Sequence, residues 1–331
     1  SGGYSSYSNA SLPNSSVMAE FNTLEIYLYH ACDEHKNRYD SDGDGQSDAG
    51  CHEWDYMEYV RLCEEVGNHS TCGTEFARYI TTYGREGRWL TDISPFLFML
   101  KEGGTREFKL ETANGGGITA ILLLSTWGDD GLRPDSAEYL FDGGQFRGDY
   151  NNESIYKRHH ELTIPQDTVK VELVALITGH GFGNDDANCA EFCNHEHRFT
   201  LNGLSTQEDH PMAGNSSVSS DNRGCEKLTA EGVTANQLGS WPFGRAGWCP
   251  GLDVEQWTFD ITNWIDWTGE NNLTYAGLFD GQNYIPQNEG GGSTQTIRVT
   301  SWVVYYVNSS GGVGITAQTP EDSQADSTAL A

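Results

Sequence analysis

Basic side chains are scarce in this chain: 19 Lys and Arg stand against 48 Asp and Glu, a formal net charge of −29 over 331 residues. A surface that acidic repels phosphate backbones and anionic headgroups, which argues against nucleic acid and anionic membranes as partners. It suits solubility in a salty or calcium-containing medium. Apolar runs are short, as in Ile121-Leu122-Leu123-Leu124, and none approaches the roughly 20 residues of a membrane span. No C-x-x-C pair occurs, so the usual zinc spacing is missing. Long helical periodicities are few, and Ser1 is not followed by a basic-apolar leader, which reads as a mature secreted chain whose leader has been removed.

What is present points to β-structure. Thirty-nine glycines and many Thr, Tyr and Trp favour an all-β protein. Leu24-Glu25-Ile26-Tyr27-Leu28 and Val169-Lys170-Val171-Glu172-Leu173 alternate with period two, as do Trp302, Val304 and Tyr306 within residues 296–307. The nearly continuous apolar stretch from Ile118 to Thr126 predicts a strand buried on both faces. Gly128-Asp129-Asp130-Gly131-Leu132-Arg133-Pro134 is the best boundary between domains. The expected organisation is a Ser/Gly/Asn-rich segment over 1–17, one antiparallel sandwich over 18–130, a second over 135–307, and a low-complexity tail over 308–331. Tails of such composition bury too little apolar area to order by themselves. Self-assembly is one way they would be held.

The 8 cysteines fall into neighbouring pairs, Cys32/Cys51, Cys63/Cys72, Cys189/Cys193 and Cys225/Cys249. Disulfides in an oxidising compartment, extracellular or periplasmic, are the economical reading, although sequence alone does not fix their connectivity.

Two stretches carry the chemistry. Cys51-His52-Glu53-Trp54-Asp55 and Cys189-Ala190-Glu191-Phe192-Cys193 each set a carboxylate beside an aromatic ring and a cysteine. Paired carboxylates are common acid/base equipment of hydrolases, and aromatic faces suit sugar rings. Together with Arg78-Tyr79-Ile80-Thr81-Thr82-Tyr83 and Arg245-Ala246-Gly247-Trp248-Cys249-Pro250-Gly251, they resemble the peptide-N-glycosidase F family over about residues 24–307. The resemblance implies two jelly rolls side by side with the active site in the cleft between them. It implies an amidase that cuts the glycosyl-asparagine bond of N-glycosylated peptides without a cofactor. Asp55 is then the principal catalytic residue and Glu191 the second essential carboxylate. Trp54, Arg245 and Trp248 line the cleft, and His180 and Phe192 stand where the family has cleft tryptophans. Departures fall at Tyr56, where the family carries arginine, at His52, where it has an acid, and at Ala113, which takes the register of a third functional glutamate and leaves Glu111 as a shifted candidate. They motivate the alternative of a non-catalytic structural or carbohydrate-binding protein of the same fold.

Three further patterns stand apart. Asp40, Asp42, Asp44, Gln46 and Asp48 follow the alternate spacing of a calcium loop, with Gly45 at its turn, but Cys51 takes the place of the closing glutamate. Calcium would be structural there. His195 and His197 share one face of a strand, and with Met212 they could chelate copper as in the related fold of peptidylglycine hydroxylating monooxygenase. That reading is disfavoured, since surface and core histidines are commoner. Asn-x-Ser/Thr sequons begin at Asn9, Asn14, Asn68, Asn152, Asn215, Asn272 and Asn308, so the chain could itself be a glycoprotein.

Overall fold

The computed structural model describes residues 4–32, 51, 54–112, 116–126, 131–141, 145–146, 150–181, 189–214, 223–235, 240–285 and 295–309. The strands in chain order are β1 (Tyr4–Asn14), β2 (Thr23–Cys32), β3 (Met57–Leu62), β4 (Thr74–Ile80), β5 (Gly87–Asp92), β6 (Gly103–Thr112), β7 (Gly116–Ser125), β8 (Leu132–Phe141), β9 (Gln145–Phe146), β10 (His159–Leu162), β11 (Lys170–His180), β12 (His195–Leu201), β13 (Leu204–Glu208), β14 (Trp257–Asp260), β15 (Asn271–Phe279), β16 (Gln282–Asn283) and β17 (Thr296–Asn308). They build two antiparallel sandwiches. In the first, sheet β1-β6-β3-β4 packs on sheet β5-β2-β7 around Leu24, Ile26, Leu28, Phe76, Phe96 and Phe108. In the second, β14-β11-β17-β8 packs on β10-β15-β12-β13 around Leu173, Phe199, Tyr275 and Val303. All four cysteine pairs expected from the sequence are disulfide-bonded: Cys32–Cys51, Cys63–Cys72, Cys189–Cys193 and Cys225–Cys249.

The sandwiches meet through β11 and β17, which are apolar on both faces. Leu173 and Ala175 point into the second core while Val174 and Leu176 join the first. Along β17, Val303 and Tyr305 face the second core, and Trp302, Val304 and Tyr306 the first. Period two thus supplies both interfaces from the same strands. Trp302, fully buried, meets Phe96 edge-on at 4.4 Å between ring centres, and truncating such a side chain to Ala costs about 3–5 kcal/mol. Polar closure of the same interface comes from Arg78 on β4. Its donors reach both oxygens of Glu75 (2.7 and 3.0 Å), Thr178 Oγ1 (2.8 Å), the Arg298 carbonyl (3.0 Å) and Thr300 Oγ1 (3.2 Å).

Two sequence expectations are corrected. The apolar run 118–126 is not buried on both faces: β7 is an edge strand, Ile121 and Leu123 are exposed, and the partly buried Ile118, Ala120, Leu122 and Leu124 turn inward. A core on each face of the sheet, which β11 and β17 have and β7 lacks, decides the matter. The Ser/Asn-rich start is not a free tail: β1 runs antiparallel to β6 from Tyr4↔Thr112 to Asn14↔Gly103. Backbone pairing tolerates polar side chains, and Tyr7 stacks on His69 at 3.5 Å. The register ends at Gly103, where φ is +63° and a Cβ would lie 1.8 Å from the Pro13 carbonyl oxygen, so only glycine fits.

Candidate active site

Asp55 lies on the link between Cys51, tied to the end of β2 by its disulfide, and Met57 at the start of β3. Thr81, just past β4, holds this link from both sides. Its N–H donates to the Tyr56 carbonyl (2.8 Å), and its Oγ1 accepts from the Tyr56 N–H (2.8 Å) and donates to the Trp54 carbonyl (3.4 Å). Asp55 is partly buried, while Trp54 is 48% exposed, which excludes Trp54 as a core plug.

Glu191 projects from the loop closed by Cys189–Cys193. The loop is anchored to the end of β11 by reciprocal bonds: Glu191 N–H donates to the Gly181 carbonyl (3.0 Å), and Gly181 N–H donates to Glu191 Oε2 (3.1 Å). The Ala246 N–H donates to the Glu191 carbonyl (2.8 Å), tying the loop to the segment that carries Arg245 and Trp248.

Arg245 joins the two carboxylates. A guanidinium has five N–H donors in a fixed fork, and every one is engaged. Nε donates to Glu191 Oε1 (2.9 Å), Nη1 to the Ser240 and Phe243 carbonyls (3.0 and 3.1 Å), and Nη2 to the Tyr83 hydroxyl (2.6 Å) and Ser240 Oγ (3.0 Å). The Tyr83 hydroxyl in turn acts on the Asp55 carboxyl, lowering its pKa. The chain Glu191–Arg245–Tyr83–Asp55 therefore crosses from the second sandwich to the first. Burial pushes the Asp55 carboxyl above its usual range, opposed by Arg245 and by the Tyr83 hydrogen bond. Burial, reinforced by the Asp55 charge and opposed by Arg245, lifts Glu191 to about 7. Two carboxylates in one field share protons as a pair, so near neutral pH the site holds both an ionised carboxylate and a proton to give.

The remaining expected residues separate. Trp248 is buried, donates Nε1–H to the Gly179 carbonyl (2.9 Å), and places its ring 4.7 Å from the Arg245 guanidinium. Phe192 is buried on another side of the same guanidinium, at 5.1 Å. With its donors consumed and its side chain buried, Arg245 is fixed in place, and Trp248 and Phe192 pack against its guanidinium. His180 is half-buried, stacks on Trp248 and hydrogen-bonds Thr178 Oγ1 (2.8 Å); burial followed by Arg78, Arg298 and Arg245 keeps it neutral. Glu111 is not brought to the pair: on β6 it is bound to Arg61 and Lys109. His52, Ala113 and the loop Asp40, Asp42, Asp44, Gln46 and Asp48 lie outside the described residues. Sequence reasoning passed over Tyr83, Thr81, Ser240 and Gly181. The first two lie in the quoted 78–83 stretch, where alternation alone gave no sign that residues 81–83 leave the strand.

A cavity of about 580 Å³ borders Arg245 and Trp248 from another side, lined also by His210, Met212, Glu208, Asp209 and Glu231; Asp55 and Glu191 do not line it.

Residues 149–304 match the family model described as peptide-N-glycosidase F, C terminal. Among solved structures, a peptide-N(4)-(N-acetyl-beta-D-glucosaminyl)asparagine amidase aligns with a TM-score of 0.66 at 19% identity, covering 92% of this chain and 90% of that one. PNGase F of Flavobacterium meningosepticum, a glycosylasparaginase, aligns with a TM-score of 0.63 at 19% identity over 92% and 90%. PNGF-II aligns with a TM-score of 0.55 at 13% identity, covering 91% of this chain and 59% of that one. At these identities the likeness establishes a shared fold. A search of curated protein sequences found no match.

Proposed function

From the match of residues 149–304 to the C-terminal peptide-N-glycosidase F model and the fold shared with a peptide-N(4)-(N-acetyl-beta-D-glucosaminyl)asparagine amidase, we propose that this protein belongs to that family and hydrolyses the amide between N-acetylglucosamine and asparagine in N-glycosylated peptides. The observation that carries the reading is the Arg245 guanidinium, held between Glu191 and the Tyr83–Asp55 pair with no donor to spare. Asp55 takes a proton from water, the resulting hydroxide adds to the asparagine side-chain carbonyl carbon, and the C–N bond breaks as Glu191 protonates the departing nitrogen. The products are aspartate and a glycosylamine, with no oxidant or cofactor consumed. Arg245 keeps the carboxylates apart and oriented, which lowers the cost of positioning. Exposed Trp54 offers the ring on which a core sugar stacks. The disulfides accord with secretion into an oxidising compartment, and among the described residues no helix is long and apolar enough to cross a membrane. Calcium bound by Asp40, Asp42, Asp44, Gln46 and Asp48 would be structural.

The test is mass spectrometry of a denatured N-glycoprotein incubated with the protein, beside an Asp55→Asn control. Intact glycan release with asparagine converted to aspartate, lost in the control, is the expected result; no release from any glycan class would overturn the reading.

One observation favours a second reading, assembly. Strand β1 is an exposed edge of its sheet, the geometry by which one chain adds to another. A monodisperse monomer in size-exclusion chromatography would dismiss it.

A further inference from the structure

Beside the loop that carries Glu191, and unused by the amidase chemistry, lies a cluster of three buried histidines. The alternation of β12 turns His195 and His197 to the same inward face, and His210 reaches them from the segment after β13. One ring nitrogen or the other of each lies within 4.8 Å of those of its two neighbours. The rings stand edge to face, with centres 4.7 Å apart for His195 and His210 and 4.8 Å for His195 and His197. Gathering three imidazoles in a core, where apolar side chains would pack at no desolvation cost, calls for a reason.

The outer partners of the rings supply one. His195 Nε2 donates to the Ala190 carbonyl (3.1 Å), which leaves the lone pair of its neutral ring on Nδ1, directed at His197 Nε2 2.7 Å away. His197 Nδ1 meets the Tyr275 hydroxyl at 2.7 Å. A hydroxyl both donates and accepts. The His197 proton can therefore leave Nε2 for Nδ1 without losing the bond to Tyr275, and two lone pairs then converge. His210, 6% exposed, has its backbone N–H fixed by Asn194 Oδ1 (2.6 Å), yet its Nε2 has no hydrogen-bond partner among the described residues. A buried unpartnered nitrogen is costly and becomes favourable when it is a ligand. Backbone carbonyl and phenol contacts on the far side of ligating imidazoles are the usual means of orienting them.

We propose that His195, His197 and His210 bind one divalent transition-metal ion of the zinc class. Three neutral nitrogens with no carboxylate among them suit such an ion and not calcium or magnesium. The ion would enter through the cavity of about 580 Å³ that His210 lines together with Glu208, Asp209 and Glu231, carboxyl groups that draw cations in. Because His195 hangs from the Ala190 carbonyl, next to Glu191, the ion would brace the 189–193 loop. Its role is support of that loop, and its binding is read out independently of any amidase activity.

The experiment strips the full chain with a chelator, then titrates it with Co²⁺ followed by visible d–d absorption and with Zn²⁺ and, separately, Cu²⁺ by calorimetry. One equivalent is expected, with a rise in melting temperature on binding. His210→Gln should weaken affinity on the order of 100-fold and Tyr275→Phe about 10-fold, while His159→Gln, at an exposed position outside the cluster, should leave it unchanged. Near-UV circular dichroism establishes that each variant is folded, and Tyr275→Phe, which keeps the ring, serves if His210→Gln is not. Wild-type protein that takes up none of these ions, or variants that bind as wild type does, would overturn the site. Uptake of Cu²⁺ alone would overturn the zinc-class assignment.

Discussion

The Tyr83 hydroxyl sits 2.6 Å from Arg245 Nη2, so a residue of the first sandwich completes the surroundings of a guanidinium from the second. It accepts from Arg245 and helps to hold down the pKa of the Asp55 carboxyl. Any change at Tyr83 is therefore felt by the carboxylate and the cation together.

Tyr83→Phe removes the hydrogen bond that lowers the Asp55 pKa and leaves one buried N–H of Arg245 unsatisfied. The acid limb of kcat/KM, which reports ionisation of the base, is expected to move to higher pH. Stability should fall by about 1–3 kcal/mol. A pH–rate profile beside urea denaturation reads both, and an unmoved acid limb would show that Asp55 is not the base.

Glu191→Gln separates a proton donor from a mere hydrogen-bond acceptor. With Glu191 lifted to about 7, the acid is lost as pH rises past that value, so the wild-type profile should bend downward there. The variant should lack this bend and lose about 10²–10⁴ in kcat. Stability carries the same signature. The folded carboxyl binds its proton more tightly than the unfolded one, so ionisation penalises the folded state increasingly between pH 4.5, its ordinary value, and about 7. Calorimetric scans should show Glu191→Gln gaining melting temperature relative to wild type at pH 8 and not at pH 4.

Trp54→Ala acts on a half-exposed ring with no place in either core. KM for a glycopeptide should rise up to about 10-fold, the worth of one aromatic contact, with kcat within a few-fold and the melting temperature unchanged. Steady-state kinetics with the unglycosylated peptide as competitor would show whether the lost contact was to sugar.

Calcium removal tests the aspartate loop. Chelation by EGTA is expected to lower the melting temperature, and the joint change of Asp40, Asp42 and Asp44 to Asn should abolish that response. Equal melting curves with and without EGTA would dismiss the ion.

Much of this was legible in the sequence because it lies in contiguous patterns. Alternation gave β2, β11 and β17, and short cysteine spacings gave the disulfides. The flanking cysteines and tryptophan marked Asp55 and Glu191. What escaped depends on partners distant in sequence. Arg245 reads as a cleft residue until Tyr83, 162 positions away, is found to use one of its donors. Glu111 reads as a site carboxylate until Arg61 and Lys109 are found to hold it. His210 has no local motif at all; only the pairing of β12 with β13 brings it to His195 and His197. Strand β1 was hidden for the opposite reason, since its order comes from backbone bonds to which composition is nearly blind.

Arg78 has a consequence for how the molecule could be taken apart. Its charge belongs to the first sandwich, but three of its hydrogen bonds end on β11 and β17. Expressed without residues 132–309, the first sandwich would present this arginine–glutamate pair and the Trp302-facing surface around Phe96 to water. Expressed without residues 4–125, the second would bare the outward rows of β11 and β17. Neither half is a sound unit for separate production, and a gene cut at the inter-sandwich link should yield fragments that recover solubility only when co-expressed.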